Sequence, residues 1–205
     1  MIYRETISHA IEAVLRSLPR EPILERFYLA GGTALALQLG HRRSADLDFF
    51  TARPFDEEVL LGEIHHLPEF ELISKAPGTI HAQTQGVKIT FLGYDYPVLF
   101  PFSSWLGADL ADPRDIACMK ISAIASRGTR RDFVDLYAAC RRYGLADLGQ
   151  LFLRKYGRVS LVHVAKSLTY FEDAEKDPMP NMLTPLEWTE VKDFFLTEMP
   201  NLLSV

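Results

Sequence analysis

Residues 27–50 read FYLAGGTALALQLGHRRSADLDFF, and this stretch decides the fold of the chain. Its first four residues are apolar and rich in aromatic rings, which is typical of a short buried strand. Gly31 and Gly32 break that run, and a helical pattern then begins at Thr33 and ends at Gly40. The last five residues alternate acidic and apolar side chains, which predicts a second strand. The stretch therefore predicts a strand, a glycine turn, a helix and a strand in direct succession.

The glycine turn has the features of a phosphate-binding site. Glycine lets the backbone approach a phosphate because no Cβ stands in the way. The helix that follows offers free N–H groups and the positive end of its dipole. The hydroxyl of Thr33 can add a further contact. We therefore predict that Gly31, Gly32 and Thr33 bind the phosphates of a nucleotide.

The second strand presents a pair of carboxylates. Residues two apart in a strand point to the same face, so Asp46 and Asp48 converge while Leu47 and Phe49 point to the core. Two acids beside apolar neighbours are costly unless a metal, a cation or water satisfies them. Near a triphosphate, such a pair suits Mg²⁺. A Gly-Gly pair alone is commonly a turn and Asp-x-Asp alone a solvated strand face, but their joint order is far more specific.

The remaining pattern divides the chain into an α+β part and a helical part. Helices are predicted over 3–18 and 56–66, and strand and loop over 101–112. Strands are predicted over 69–75, 79–85 and 86–92. From Pro113 onward the pattern is almost entirely helical, with helices over 113–127, 130–142, 145–156, 160–172 and 185–198. We expect residues 1–110 to form the α+β core with its N-terminal helix, and residues 111–205 a helical C-terminal region.

Composition limits the possible function classes. The 205 residues are 48% hydrophobic, which is enough for one core with a helical extension. No run of about 18 apolar residues occurs, so we expect no membrane span. The N-terminus carries acids and does not resemble a signal peptide, and two cysteines in helical patterns fit a reducing, cytoplasmic location. The net charge of −5 argues against a general nucleic-acid-binding surface but allows a local basic patch.

A second block, residues 117–136, reads ACMKISAIASRGTRRDFVDL. The spacing of Lys120 and Arg127 places both on one helical face, from which they can bind phosphate. A purely structural interpretation is also available. Thr129 and Asp132 have the spacing of a capping box, and Arg131 with Asp135 has that of an i,i+4 ion pair. The residues alone leave both interpretations open.

The two blocks together resemble the nucleotidyltransferase fold of DNA polymerase beta-like enzymes, and residues 31–50 are most similar to the AbiEii/AbiGii toxin family. Gly31 and Gly32 match the family's glycine turn, and Asp46 and Asp48 match its metal-binding acids. The second block matches in register at Lys120, Ala123, Arg127, Arg131, Asp132 and Asp135. The resemblance covers about half of the chain. It implies an α+β nucleotidyltransferase fold, a short mixed sheet with flanking helices, followed by a helical half.

The resemblance also implies an activity, namely transfer of a nucleoside monophosphate from an NTP with loss of pyrophosphate. The implied catalytic residues are Asp46, Asp48, Lys120 and Asp132. The implied nucleotide-binding residues are Gly31, Gly32, Thr33, Lys88, Arg127 and Arg131. Asp46 and Asp48 would hold Mg²⁺ or Mn²⁺. A toxin of this family implies an acceptor that is RNA, such as tRNA, or protein, and a separate cognate antitoxin, with no membrane partner.

One position departs from the resemblance. Active enzymes of the superfamily carry a third carboxylate on a later strand, two residues after a lysine that Lys88 matches. That position is Thr90, which has no charge and is a poor Mg²⁺ ligand. Either another group serves as base, with Asp132 a candidate, or the protein is a catalytically weak nucleotide-binding module that acts through a partner. A small-molecule nucleotidyltransferase of the antibiotic-modifying type is a further alternative, which the acidic net charge favours over tRNA modification.

A basic tripeptide at residues 41–43, HRR, precedes the acid pair. Its side chains can contact a triphosphate or RNA. The default expectation for such a tripeptide is a solvated loop.

Overall fold

The computed structural model describes residues 1–18, 22–157 and 159–204. In this part of the chain, seven strands form one sheet and eight α-helices surround or follow it. The strands are β1 (Tyr28–Ala30), β2 (Asp46–Thr51), β3 (Glu71–Ala76), β4 (Thr79–Thr84), β5 (Val87–Gly93), β6 (Ser103–Trp105) and β7 (Ala108–Leu110). The helices are α1 (His9–Ser17), α2 (Gly31–Leu39), α3 (Glu57–Ile64), α4 (Pro113–Ser126), α5 (Arg130–Tyr143), α6 (Leu145–Tyr156), α7 (Leu161–Leu168) and α8 (Trp188–Leu203).

The sheet is mixed, with the strand order β3-β4-β5-β2-β1-β7-β6. Strand β2 runs parallel to β5, and β1 runs parallel to β7. The other neighbouring strands are antiparallel. The predicted fold class, a mixed sheet with flanking helices followed by a helical half, is confirmed.

The predicted succession of strand, glycine turn, helix and strand lies at the centre of this sheet. Strand β1 is buried along its whole length, and α2 follows it directly. Gly40 ends α2 in the left-handed conformation with φ of 71°, and the ring of Tyr3 packs against its Cα. Strand β2 then returns antiparallel to β1, so that Asp48 lies opposite Ala30. The end of β1 and the acids of β2 are thereby brought side by side.

The apolar interior forms two clusters. The first joins one face of the sheet to α1, α2 and α3, and the second lies among α4 to α8. Helix α4 contributes to both, with Ile116 in the first and Ala117 in the second. The proposed division near residue 110 therefore stays a prediction. Among the described residues, no helix has the length and apolar character needed to cross a membrane.

Several helix ends differ from the predicted ones. The helix predicted over 3–18 is a 3₁₀ turn followed by α1, because the Ser8 side chain accepts the Ile11 N–H and starts the helix at His9. Helix α7 stops at Leu168, where the Thr169 hydroxyl donates to carbonyls of the preceding turn. Helix α8 starts at Trp188 and runs to Leu203, through a proline near its end.

A late segment of the chain returns to the sheet half. In this return segment, residues 181–183, the carbonyl of Asn181 accepts the Arg43 N–H at 2.8 Å, and the Leu183 N–H donates to His41 at 3.1 Å. Between them, Arg42 and Met182 form an antiparallel bridge. The return segment therefore fixes the backbone of residues 41–43 just before β2 begins.

A buried ion pair between two helices fixes the loop between β5 and β6. Asp115 in the first turn of α4 accepts the Lys155 ammonium of α6 at 2.7 Å. The same carboxylate accepts the backbone N–H groups of Leu99 at 3.1 Å and Phe100 at 3.0 Å. Lys155 also donates to the carbonyl of Pro97 at 2.6 Å. The polar groups of this loop are thus satisfied by two side chains from the helical half.

We expect Asp115→Ala to lower the free energy of unfolding by about 3–5 kcal/mol, because it leaves the buried Lys155 ammonium without its counter-charge. Urea denaturation measures this change. Asp109→Ala, at an exposed position of β7, is the matched control and should change the value by about 0.5 kcal/mol or less. Equal effects of the two substitutions would contradict a structural role for the ion pair.

Candidate active site

The two predicted acids lie on the open face of the sheet. Strand β2 alternates between partly exposed and buried residues, with Leu47 and Phe49 fully buried on the opposite face. Asp46 keeps 44% of its side chain exposed. Strand β5 runs alongside in parallel, with Lys88 opposite Asp46 and Thr90 opposite Asp48. Thr90, the position expected for a third acid, is therefore directly beside the carboxylate pair on the same face.

The two glycines of the turn are needed for different reasons. Gly31 has φ of 68°, and a Cβ at this position would lie 2.8 Å from Oδ2 of Asp48. At Gly32 a Cβ would overlap the guanidinium of Arg42. The turn therefore approaches an acid on one side and a base on the other, and only residues without a side chain fit between them.

Thr33 has a different role from the one predicted. Its side chain is buried, and its hydroxyl lies 2.8 Å from the Ser44 hydroxyl and donates to the backbone carbonyl of Asp46. The hydroxyl therefore joins α2 to the start of β2 and is directed into the fold rather than toward a phosphate. A contribution of Thr33 to phosphate binding rests with its backbone N–H in the first turn of α2.

Facing the acids is a buried charge cluster from the helical half. The Lys120 ammonium of α4 lies 2.9 Å from Oδ1 of Asp132 and 2.7 Å from Oδ2 of Asp135, both in α5. Burial disfavours the charged lysine, but the two carboxylates outweigh that cost and raise the pKa of Lys120. The ammonium is therefore held charged at the edge of the cleft.

Asp135 is the centre of this cluster. Arg42 donates to it through two nitrogens, Nε at 2.6 Å and Nη2 at 2.9 Å, and His41 Nε2 lies 2.8 Å from it. Burial opposes ionisation of this carboxyl, but Lys120 and Arg42 hold its pKa well below the usual range. The solvated loop expected at 41–43 is wrong for two of its residues, since His41 and Arg42 are buried and Arg43 is exposed.

Arg131 makes a different contact from the i,i+4 pair with Asp135 that its spacing allows. Its guanidinium lies 3.9 Å from Oδ2 of Asp46 and remains 61% exposed. The Asp135 carboxylate is taken by Arg42 and Lys120 instead. Arg131 therefore bridges from the helical half to the acid pair of the sheet.

Asp132 makes the capping contacts predicted from its spacing, and it also lines the cleft. Thr129 caps α5 by accepting the Asp132 N–H, and its hydroxyl also donates to the Asp132 carboxylate at 2.6 Å. That carboxylate also accepts from Lys120 and from Arg127, whose Nε is 3.1 Å away. Burial raises the pKa of Asp132, but these cations and donors outweigh burial and lower it. An acid held ionised by several donors is a weak proton acceptor.

These groups line one continuous cleft between the sheet and the helices. Its polar part is lined by Gly32, Arg42, Ser44, Asp46, Asp48, Lys120, Arg127, Thr129, Arg131 and Asp132. Its more apolar part extends past Gly31 to Phe50, Leu92, Tyr94, Met119 and Tyr156. Of the predicted site residues, Thr33 is buried behind the cleft, and Lys88 lies beside it, exposed on β5 next to Asp46. Sequence reasoning missed Arg42 as a site residue.

The carboxylate pair fits a hard cation. Burial raises the pKa of Asp48, Lys120 and Arg127 act to lower it, and the charge of Asp46 raises it further. A divalent cation would relieve this repulsion. The described residues contain no cluster of three or more His, Cys, Asp or Glu side chains placed to hold a metal. Mg²⁺ commonly uses one or two carboxylates together with substrate phosphates, and two acids beside the glycine turn fit that pattern.

A glycine turn at a helix N-terminus, a same-face acid pair and a facing set of bases define a site of the nucleotidyltransferase class. The sequence matches the family described as nucleotidyl transferase AbiEii toxin, type IV TA system, over residues 13–103 and 107–203. The chain therefore belongs to the AbiEii nucleotidyltransferase toxin family. It is also 40% identical over 179 residues to an uncharacterized protein of Aquifex aeolicus, aq_aa25, with 84% of this chain and 86% of the relative covered.

Solved structures share the fold. MenT4, a nucleotidyltransferase toxin of Mycobacterium tuberculosis H37Rv, superposes with a TM-score of 0.61 at 16% identity, covering 96% of this chain and 88% of that one. JHP933 of Helicobacter pylori gives a TM-score of 0.53 at 20% identity, covering 95% and 91% of the two chains. At these identities the likeness concerns the fold.

We expect Gly31→Ala to lower the free energy of unfolding by about 1–2 kcal/mol, because a Cβ is strained in the left-handed conformation. The added methyl also displaces Asp48. Gly62→Ala is the control, since Gly62 lies inside α3 with open space around it. That change should stabilise the protein by up to about 1 kcal/mol. Guanidinium denaturation measures both, and a neutral Gly31→Ala would contradict the described turn.

We expect Asp48→Asn to raise the Tm by about 2–4 °C at neutral pH in the absence of nucleotide and metal. The raised pKa of Asp48 means that ionisation costs more in the folded than in the unfolded protein. That cost is absent below the ordinary carboxyl pKa and complete above the raised one, so the gain should shrink as the pH falls. Thermal unfolding of this variant and of Asp193→Asn, exposed on α8, tests it. A lowered Tm for Asp48→Asn alone would contradict it.

Proposed function

We propose that this protein is a metal-dependent nucleotidyltransferase that transfers a nucleoside monophosphate from an NTP to an acceptor and releases pyrophosphate. The observation that carries the proposal is the opposition of Asp46 and Asp48 to Lys120, Arg127 and Arg131 across one cleft, with the glycine turn at its end. Acids on one wall and bases on the other suit a metal-bound triphosphate, which has both charges to satisfy.

The triphosphate would be bound by groups that line the cleft or lie beside it. The first turn of α2 offers backbone N–H groups beside Gly31 and Gly32. Arg127 and Arg131 keep 65% and 61% of their side chains exposed, so both can turn toward phosphate oxygens. Lys120 adds a fixed positive charge that its two carboxylate partners position. Lys88 can add a further charge from its place beside Asp46.

Asp46 and Asp48 would hold Mg²⁺ or Mn²⁺. When bound, the cation would neutralise the phosphate oxygens and stabilise the leaving pyrophosphate. The nucleoside would occupy the more apolar part of the cleft, where Phe50, Leu92 and Tyr94 offer flat apolar surface. This arrangement leaves the α-phosphate beside the acids and the open sheet face.

The acceptor we propose is RNA, such as tRNA, or a protein, with a cognate antitoxin as the natural partner of a toxin-type enzyme. Exposed cations lie on three elements that adjoin the cleft. These are Arg43 before β2, Lys88 in β5 and Arg131 in α5. They form a local basic rim on a chain whose net charge is −5, and such a rim favours a polyanionic acceptor. A polyanion favours RNA over a small-molecule acceptor.

Thr90 supports one alternative. An uncharged residue at the third position of the acid row favours a protein that binds nucleotide and transfers it slowly or through a partner. This alternative shares the nucleotide site and differs in the outcome of a transfer assay.

The decisive experiment follows label from each α-³²P NTP, with Mg²⁺ or Mn²⁺, into total RNA and into the protein itself. A parallel series uses γ-³²P ATP. We expect α-label to be transferred and Asp48→Asn to reduce transfer by at least about 100-fold, since it removes half of the acid pair. Asp109→Asn, exposed on β7, should transfer as the unmodified protein does.

Each other outcome identifies a different function. Label from the γ-phosphate alone would indicate phosphotransfer at the same site. No transfer of either label, together with Mg²⁺-dependent NTP binding by calorimetry, would overturn the enzyme and leave the binding module.

A further inference from the structure

A row of polar side chains crosses the open face of the sheet from the acid pair outward. Asp48 in β2 is opposite Thr90 in β5, and Thr90 is opposite His81 in β4. The three therefore share one face of adjacent strands. Their neighbours along each strand, such as Ile80 and Ile89, are buried on the other face. His81 is exposed on β4, and β4 lies two strands, or about 10 Å, from β2, which carries Asp48.

Contacts along this row favour one tautomer of His81. Thr90 is opposite Asp48, where its hydroxyl acts to lower the pKa of that carboxyl. A hydroxyl that gives its one proton to a carboxylate can only accept from its other neighbour. That neighbour is Nδ1 of His81, at 3.3 Å. This arrangement places the proton of a neutral His81 on Nδ1 and leaves Nε2 with a lone pair on the open side of the sheet.

We propose that His81 is the general base that takes the proton of the acceptor hydroxyl. This inference rests on the proposed nucleotidyl transfer. His81 combines a basic nitrogen of fixed tautomer, exposure to an incoming acceptor and a hydrogen-bonded connection to the acid pair through Thr90. His81 in β4 thus performs the function that an acid at position 90 in β5 would perform.

The other acids near the cleft are less suited to this step. Asp132 is buried and already accepts from Lys120, Arg127 and Thr129. Asp46 and Asp48 are the proposed metal ligands, whose lone pairs a cation would occupy. Within the described part of the chain, Nε2 of His81 makes no hydrogen bond. Lys88 in β5 lies on the same face, where it can bind the phosphate rather than take a proton.

The step balances as a simple displacement. The acceptor oxygen forms a bond to the α-phosphorus while its proton passes to Nε2 of His81. The bond between the α-phosphorus and the bridging oxygen breaks, and that oxygen leaves with the pyrophosphate. Solvent then removes the proton from the imidazole, which returns to its starting tautomer.

The test measures single-turnover α-label transfer by His81→Ala and by the matched control His163→Ala, an exposed histidine of α7. General base catalysis contributes about 10²- to 10⁴-fold, so we expect a loss of this size for His81→Ala with unchanged NTP affinity in calorimetry. Added imidazole should restore part of the rate. Thr90→Asp in the His81→Ala background should restore more, because it places a carboxylate beside Asp48.

The outcomes separate this inference from the proposed function. A protein that transfers label equally well with and without His81 overturns the inference and leaves nucleotidyl transfer intact. A protein that transfers no label overturns both. Nitrogen-15 NMR gives a readout that needs no activity, and we expect the Nδ1–H tautomer of His81, lost in Thr90→Val. A protonated Nε2 in the unmodified protein would overturn the inference by itself.

Discussion

The carboxylate of Asp135 is fully buried and receives Arg42 from the loop before β2 and Lys120 from α4. A buried ion without partners is so costly that a carboxylate in this place holds its cations firmly. Arg42 is pressed against Gly32 as a result, and Lys120 is aimed at the cleft. The buried carboxylate of Asp135 must be neutralised both by Arg42 from the loop before β2 and by Lys120 from α4. The glycine turn, the acid pair and the cations that face them therefore keep their spacing.

The same arrangement assigns different chemistry to the two parts of the chain. The sheet supplies the acids and the glycine turn, while α4 and α5 supply the cations that face them. Asp115 and Lys155 bind the loop between β5 and β6, so the helical half is joined to the sheet at a second point. The cleft is lined by both the sheet and the helices, so its geometry depends on these contacts between them. A shift of the helices would separate the opposite charges that face each other across the cleft.

Much of the fold and part of the site could be predicted because their signals are local. Period-two alternation places Asp46 and Asp48 on one face whatever strands surround them, and the glycine pair marks the change from strand to helix. The role of Arg42 could not be predicted, because its partner Asp135 lies far away in sequence and only the folded chain joins them. The position of His81 opposite Thr90 could not be predicted either, because it depends on the register of β4 and β5. Helix ends at Ser8 and Thr169 depend on single side-chain hydrogen bonds that periodicity does not reveal.

The return segment, residues 181–183, determines when the cleft is completed during synthesis. It pairs with residues 41–43, which carry Arg42, yet it leaves the ribosome only after most of the helical half. A growing chain thus displays the acid pair and the glycine turn long before the loop beside them has its final support. The cleft of this toxin-family protein is complete only once residues 181–183 have been synthesised, so a polypeptide terminated before them carries an incomplete site.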